Sequence, residues 1–460
     1  MRVHIKPIHS ELILRAIVKV GFIGILSVMV ALIVDELTGL ADQNRLISVS
    51  IVDILSVIPL AAGLYFIGAA IAMRFPLRQA VGWFSLFFMV RILTAIVLSH
   101  IFMYDDEIGF HYAALALSKE SNFFDAGWAY YGLVTWIYSL FGANILIPKA
   151  VNVLFGSLLP FLAFAIATEL YGDRRYARRA FWIIGLTPPF VIFSGVNLKE
   201  ILTAFAILWV AWSLTLSRKR PMAGLIGALI GVGGLYWVRG APLALIGMLG
   251  MVLRYSWPGL HFSGRLRWQA LGALLFSLTI VAILASRLLG LISATIVSRT
   301  TAEEYYIKRF VESQALVTKF LDIDSPLSPK NIGILFLRGL YSPSPLRWML
   351  DRGIDTLVEG VSMALWYAVF PLSVITLCRF WRRLEIAILG VMGLALLAIA
   401  TVGIAVGSDP FRHRIMSMAL FTILASASMS REMVRGYRWV LWLWGIGVSG
   451  FTGLWLWLRL

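Results

Sequence analysis

Apolar runs recur along this chain at lengths that match the hydrocarbon thickness of a bilayer, and no other feature restricts its fold as much. Runs of roughly 17 to 28 predominantly apolar residues, two of them nearer 14 to 16, can be marked at 12–34, 46–73, 79–103, 145–169, 179–195, 199–216, 222–237, 241–254, 268–293, 355–378, 385–406, 414–430 and 439–458. The expected fold class is an all-α polytopic membrane protein with about thirteen transmembrane helices. Composition agrees, since 60% of the 460 residues are hydrophobic and 14% are charged, far from an ordinary soluble domain. The first run follows Arg2, Lys6, Arg15 and Lys19 with no convincing small-residue cleavage site after it, and reads as a retained span.

A net charge of +16 could suit nucleic acid, but most cations lie in short clusters between apolar runs, where they encode topology. No nucleic-acid partner is expected. With a cytoplasmic amino terminus, the inside loops are Arg74–Arg78, Asp173–Arg179, Arg218–Arg220, Arg254–Arg267, Arg379–Arg383 and Arg431–Arg438, and every one is basic. The outside loops then carry Asp35, Glu36 and Asp42, the acids at 105–107, Lys199 and Glu200, Arg239, the long segment 294–350 and the cluster 412–414. Cys378 is the lone cysteine, which excludes an intramolecular disulfide and any cysteine-based zinc site.

Irregular chain concentrates on the predicted outer side. Residues 104–144 exceed a simple connector, and two interfacial helices are expected there, one through Tyr112–Leu117 and an aromatic one through Gly127–Phe141. The second long loop, 294–350, has a helix-favouring stretch around Glu303–Glu312 followed by the breakers Ser325-Pro326 and Ser342-Pro343-Ser344-Pro345. Loops of this length usually carry function or are disordered.

Three consecutive carboxylates, Asp105, Asp106 and Glu107, follow the third predicted span, and acids at a membrane surface read as a site. On the expected topology they share the outer face with Lys199 and Glu200, Arg239, Arg338 and Arg347, and Arg412, His413 and Arg414. Arginine forks and a lysine beside a helix start suit an anionic substrate, and a carboxylate facing them suits transfer in which it deprotonates an acceptor hydroxyl. Singly, each arginine reads equally well as an interfacial anchor. Glu107 and His111 lie four apart and could share a divalent ion, although an ion pair or cap is the commoner outcome, and no metal or other cofactor is expected. Within the spans, Asp53 and Arg91 are expected to pair with each other.

Asp106-Glu107 with Phe110-His111-Tyr112, Gly127-Trp128-Ala129-Tyr130-Tyr131 through Phe141-Gly142, Tyr171-Gly172-Asp173 with Thr187-Pro188-Pro189 through Lys199-Glu200, and Arg412-His413-Arg414 are four stretches that together resemble the GT-C superfamily of membrane glycosyltransferases, the group that includes protein O-mannosyltransferases, aminoarabinose transferases and exopolysaccharide-type enzymes. Asp106-Glu107 with Phe110-His111-Tyr112 resembles the acidic motif of the first large outer loop. Gly127-Trp128-Ala129-Tyr130-Tyr131 through Phe141-Gly142 is similar to the second loop helix. Tyr171-Gly172-Asp173 and Thr187-Pro188-Pro189 through Lys199-Glu200 are similar to the next hairpin, and Arg412-His413-Arg414 resembles the late basic motif, without the proline common in relatives. The resemblance covers about residues 79–430, so the expected organisation is two extra helices at 1–78, a catalytic module at 79–430 and a last helix at 431–460.

The resemblance implies an enzyme that transfers a sugar from a polyprenyl-phosphate or polyprenyl-diphosphate carrier to a cell-envelope glycan or lipid, with inversion, at the outer face of a bacterial plasma membrane. Asp106 would be the base, assisted by Asp105 or Glu107. Lys199, Arg239 and residues 412–414 would hold the carrier phosphate, with Glu200, Arg347, His111 and Tyr112 in the substrate site. The alternative is a polysaccharide polymerase or ligase using similar donors. A lipid-linked-sugar transporter fits less well, because the charges gather at one surface and not midway through the bilayer.

Overall fold

The computed structural model describes residues 49–101, 103, 105–119, 129–256, 340–341, 354–405 and 410–459. Every labelled element among them is a helix. In chain order these are α1 (Ile51–Ala72), α2 (Ala80–Ile101), α3 (Asp105–Lys119), α4 (Ala129–Phe141), α5 (Leu146–Tyr171), α6 (Arg174–Leu186), α7 (Pro188–Ser194) and α8 (Glu200–Leu216). There follow α9 (Pro221–Arg239), α10 (Ala241–Ser256), α11 (Ile354–Phe380), α12 (Leu384–Ala405), α13 (Pro410–Ser428), α14 (Arg431–Gly436) and α15 (Arg438–Arg459).

Five described helices, Ile51–Ala72, Ala80–His100, Leu146–Tyr171, Pro221–Arg239 and Gly360–Phe380, are long and apolar enough to cross a membrane, and shorter apolar helices accompany them. They mark an integral membrane protein. Most predicted spans coincide with one helix each, and the stretch 104–144 contains two helices, α3 and α4, as expected. The spans predicted at 12–34 and 268–293 lie outside the described residues, as does nearly all of 294–350, with Arg338 and Arg347.

One predicted span, 179–195, is instead two helices. α6 ends at Leu186 and α7 begins at Pro188, with Thr187 extended at φ −61° and ψ 121°. The residue before a proline is biased away from helix, and Pro189 has no N–H to offer the carbonyl of Gly185 four residues back. Arg91 of α2 supplies that donor. Its Nη2 donates to Gly185 O at 3.1 Å, its Nη1 to Phe87 O at 3.3 Å and its Nε to Ser194 Oγ at 3.2 Å.

The expected Asp53–Arg91 pair is therefore corrected. Asp53 closes a capping box at the start of α1, where its Oδ2 accepts from Ser50 N at 2.8 Å and its own N–H donates to Ser50 Oγ at 3.2 Å. A carboxylate at the third helical position has local donors at hand, and needs no distant cation.

Close packing divides the chain into two units, residues 1–161 with 185–202, and residues 162–184 with 203–460. In the first, α1 packs on α2 through Tyr65 and Phe88, whose ring centroids lie 5.7 Å apart, and Tyr65 Oη meets Ser85 Oγ at 2.7 Å. Asn144 ties the α4–α5 turn to α1 by donating to Asp53 O at 2.8 Å and Ser56 Oγ at 3.0 Å. In the second unit, α11 and α13 share an aromatic core in which Phe370 and Phe421 stand 5.3 Å apart, edge to face. Arg254 of α10 donates to Ser217 Oγ at 2.8 Å and pairs with Glu385 of α12 at 3.4 Å.

Replacing Arg91 by leucine removes the donor that serves the Gly185 carbonyl, and an unserved buried acceptor costs about 1–3 kcal/mol. Arg91→Leu is expected to lower the thermal unfolding midpoint in detergent clearly more than Asp53→Asn does. Equal losses in the two variants would restore the idea that the residues act as a pair.

Candidate active site

The site in the first unit is built outward from α5. Lys149 and Asn152 stand three residues apart on that helix, hence on one face. Both are buried, at 0% and 1% exposure. Lys149 forms an ion pair with Glu107 of α3, whose side chain is also 0% exposed. The same ammonium donates to Ser99 Oγ of α2 at 2.7 Å, and Ser99 donates onward to Ala95 O at 2.7 Å. Three helices thus meet on one charge.

Asn152 serves the irregular backbone between α7 and α8. Its Nδ2 donates to Val196 O at 2.7 Å and to Leu198 O at 2.8 Å. Gly195 opens this turn against α2, where an added Cβ would lie 2.9 Å from Ala95 N and 3.0 Å from its Cα. Only glycine allows so close an approach. The turn delivers Lys199, which is partly exposed at the mouth of α8 with its Nζ 5.6 Å from the Phe110 ring centre.

Aromatic contacts fasten α4 to α3. Phe110 lies 4.8 Å from both Tyr130 and Tyr131 between ring centres, and His111 Nδ1 meets Tyr138 Oη at 2.7 Å. Tyr130 Oη donates to Asn197 Oδ1 at 2.9 Å, which joins α4 to the 195–199 turn. α4 stops at the aromatic–glycine pair quoted above, with Gly142 at φ +90° and its N–H donating to Tyr138 O at 2.9 Å.

Burial sets the protonation of the polar rings. It raises the Tyr130 phenol well above its ordinary range, against the hydrogen-bonding of Asn152, with the charges of Glu200 and Glu107 adding to the rise. Tyr138 is raised by burial and then by Glu107, and Tyr131 by burial and then by Asp106. His111 is lowered by burial and then by the Lys149 charge. These phenols act as neutral donors and acceptors, and the imidazole is held towards its neutral form.

The sequence-derived site residues are divided by this geometry. Asp106 is exposed at the start of α3, while its neighbour Glu107 is buried against Lys149. Asp105 opens the helix, but its side chain lies outside the described residues. Tyr112 is 48% exposed, whereas His111 and Glu200 are buried. Glu107 and His111 turn to different partners, and among the described residues no group of three His, Cys, Asp or Glu side chains could hold a metal ion.

Arg239 and Arg414 belong to the second unit. Arg239 ends α9 half-buried, and Arg414, expected at the mouth of the last hairpin, is 2% exposed in the core of its unit, with its guanidinium 5.9 Å from the Trp366 ring centre. Arg412 and His413 fall in the first turn of α13, but their side chains lie outside the described residues, and Arg347 lies outside them altogether.

Sequence reasoning passes over Lys149, Asn152 and Tyr138. A lysine inside an apolar run is itself a site signal, and an asparagine one turn later on the same face strengthens it. Comparison with protein-family models, with curated proteins and with solved structures returns no match.

His111 makes one pH dependence testable. Its folded value is lowered, so the unfolded chain binds the proton more readily, and stability is full above about pH 6.5 and is lost as pH falls towards the folded value. Acidification from neutral pH should therefore lower the unfolding midpoint of the wild type more than that of His111→Gln. Parallel pH profiles would remove His111 as a source of acid sensitivity.

Proposed function

We propose that the protein is a GT-C-type membrane glycosyltransferase, which moves a sugar from a polyprenyl-phosphate or polyprenyl-diphosphate carrier to a cell-envelope glycan or lipid at the outer face of a bacterial plasma membrane. The observation that carries the reading is the opposite fate of adjacent carboxylates, with Asp106 exposed and Glu107 buried in an ion pair. Two acids kept in different environments can take different roles, one for proton transfer and one for structure.

Asp106 accepts the proton of the acceptor hydroxyl as the new bond forms between the acceptor oxygen and the anomeric carbon. On the opposite face of the sugar, the bond from anomeric carbon to phosphate oxygen breaks, and its electron pair leaves with the prenyl phosphate. The anomeric carbon is inverted. Lys199 supplies positive charge for the phosphate as its charge grows, the kind of electrostatic stabilisation that dominates many transfer reactions. Apolar helix faces suit the prenyl tail, and the sugar stays within reach of water.

Incubation of the full chain in liposomes with decaprenyl-phosphate-linked mannose, glucose or arabinose and an envelope extract tests this directly. Release of decaprenyl phosphate with an inverted glycosidic product is expected from the wild type. Asp106→Asn should lower the rate by about 10²–10⁴-fold while still inserting normally. Lys199→Ala should weaken binding of labelled decaprenyl phosphate by about 1.5–3 kcal/mol, the range for hydrogen bonds to charged groups. Undiminished turnover by Asp106→Asn would sink the assignment of the base, and intact donor recovered from the far leaflet would point to a carrier.

A further inference from the structure

Lys149 and Asn152 take no part in the chemistry just described, yet each bonds to a sequence neighbour of one of its two working groups, Lys149 to Glu107 beside Asp106 and Asn152 to the carbonyl of Leu198 beside Lys199. Adjacent residues on an α-helix point about 100° apart, so an α3 that turns Glu107 inward to Lys149 turns Asp106 to another side, and Asp106 is indeed exposed. Ser99, on the same ammonium, fixes the arrangement against α2. Stability does not account for the pair well, since a buried ion pair is commonly no better than an apolar replacement of the same volume. Its geometry, which sets the rotation of α3, does account for it.

Asn152 does the corresponding work for the lysine. The carbonyls of Val196 and Leu198 lie in non-helical backbone between α7 and α8, and one amide group serves both at 2.7 and 2.8 Å. Lys199 is the next residue after Leu198. A single face of α5 therefore grips α3 through one side chain and the 195–199 turn through the other.

We infer that Lys149 and Asn152 are positioning residues, with Lys149 setting Asp106 through Glu107 and Asn152 setting Lys199 through the carbonyls of Val196 and Leu198. The inference rests on the reading of Asp106 as base and Lys199 as phosphate contact, and its test separates the two. The variants are Glu107→Gln with Lys149→Met, which removes both charges and strands neither, and Asn152→Ala. Both are made in the full chain in nanodiscs and read by amide hydrogen exchange and by release of decaprenyl phosphate from the three linked sugars.

The double variant should speed exchange within 105–119 by about tenfold and leave 195–199 near wild type, as local opening predicts. Its kcat should fall by about 10²-fold, the loss typical of a reacting group displaced by about 1 Å, with the donor KM little changed. Asn152→Ala should do the reverse, loosening 195–199, raising the donor KM about tenfold and sparing kcat, the signature of lost binding without lost chemistry. Should the double variant fail to fold, Lys149→Arg keeps the charge on a longer arm and should alter exchange in 105–119 alone. Loosening of both segments alike in either variant, or of neither, overturns the inference, as does a joint fall in kcat and rise in KM in both. A wild type that releases no decaprenyl phosphate would instead overturn the glycosyltransferase reading, and the exchange pattern alone would then decide the positioning role.

Discussion

One buried ammonium organises the first unit. Lys149 sits within an apolar span, where a charge without partners costs several kcal/mol, and it is tolerated because Glu107 and Ser99 meet it there. Those two partners come from two other helices, so the condition that makes the charge bearable also fixes where α2, α3 and α5 touch. The outward placement of Asp106 follows from the inward placement of Glu107. A chemical group at the edge of the site is thus held by a constraint inside it.

The second constraint is the broken helix at 186–199. Apolar surroundings offer no water to irregular backbone, so its polar groups need side-chain partners. Arg91 serves Gly185, and Asn152 serves Val196 and Leu198. Proline chemistry explains why the break occurs at Thr187, and Gly195 explains how the chain then passes so close to α2. Both polar side chains that look anomalous in their spans have a task in this one stretch of chain.

Much of this fold is legible in the sequence, because spans follow from hydrophobic length, which is local information. The two helices of 104–144 and the helix start just after Lys199 are legible from equally local signals, whereas the aromatic–glycine stop at Phe141-Gly142 is read through the family resemblance. What escapes is pairing. Asp53 and Arg91 look like natural partners by charge, but a serine three residues ahead of Asp53 is nearer in every sense, and Arg91 answers a carbonyl orphaned by Pro189 almost a hundred residues on. Lys149 is overlooked because a single cation barely alters the hydropathy of its run. Among the acids, adjacency in sequence suggests shared work, whereas helical rotation separates Asp106 from Glu107 into water and core.

A structure of the full chain bound to decaprenyl phosphate tests the central claim most directly. The account predicts phosphate oxygens at hydrogen-bonding distance, about 3 Å, from Lys199 Nζ, with Asp106 on the open side of α3 and Glu107 still paired with Lys149. A phosphate bound away from Lys199, or an Asp106 turned inward with the Glu107–Lys149 pair broken, would contradict it.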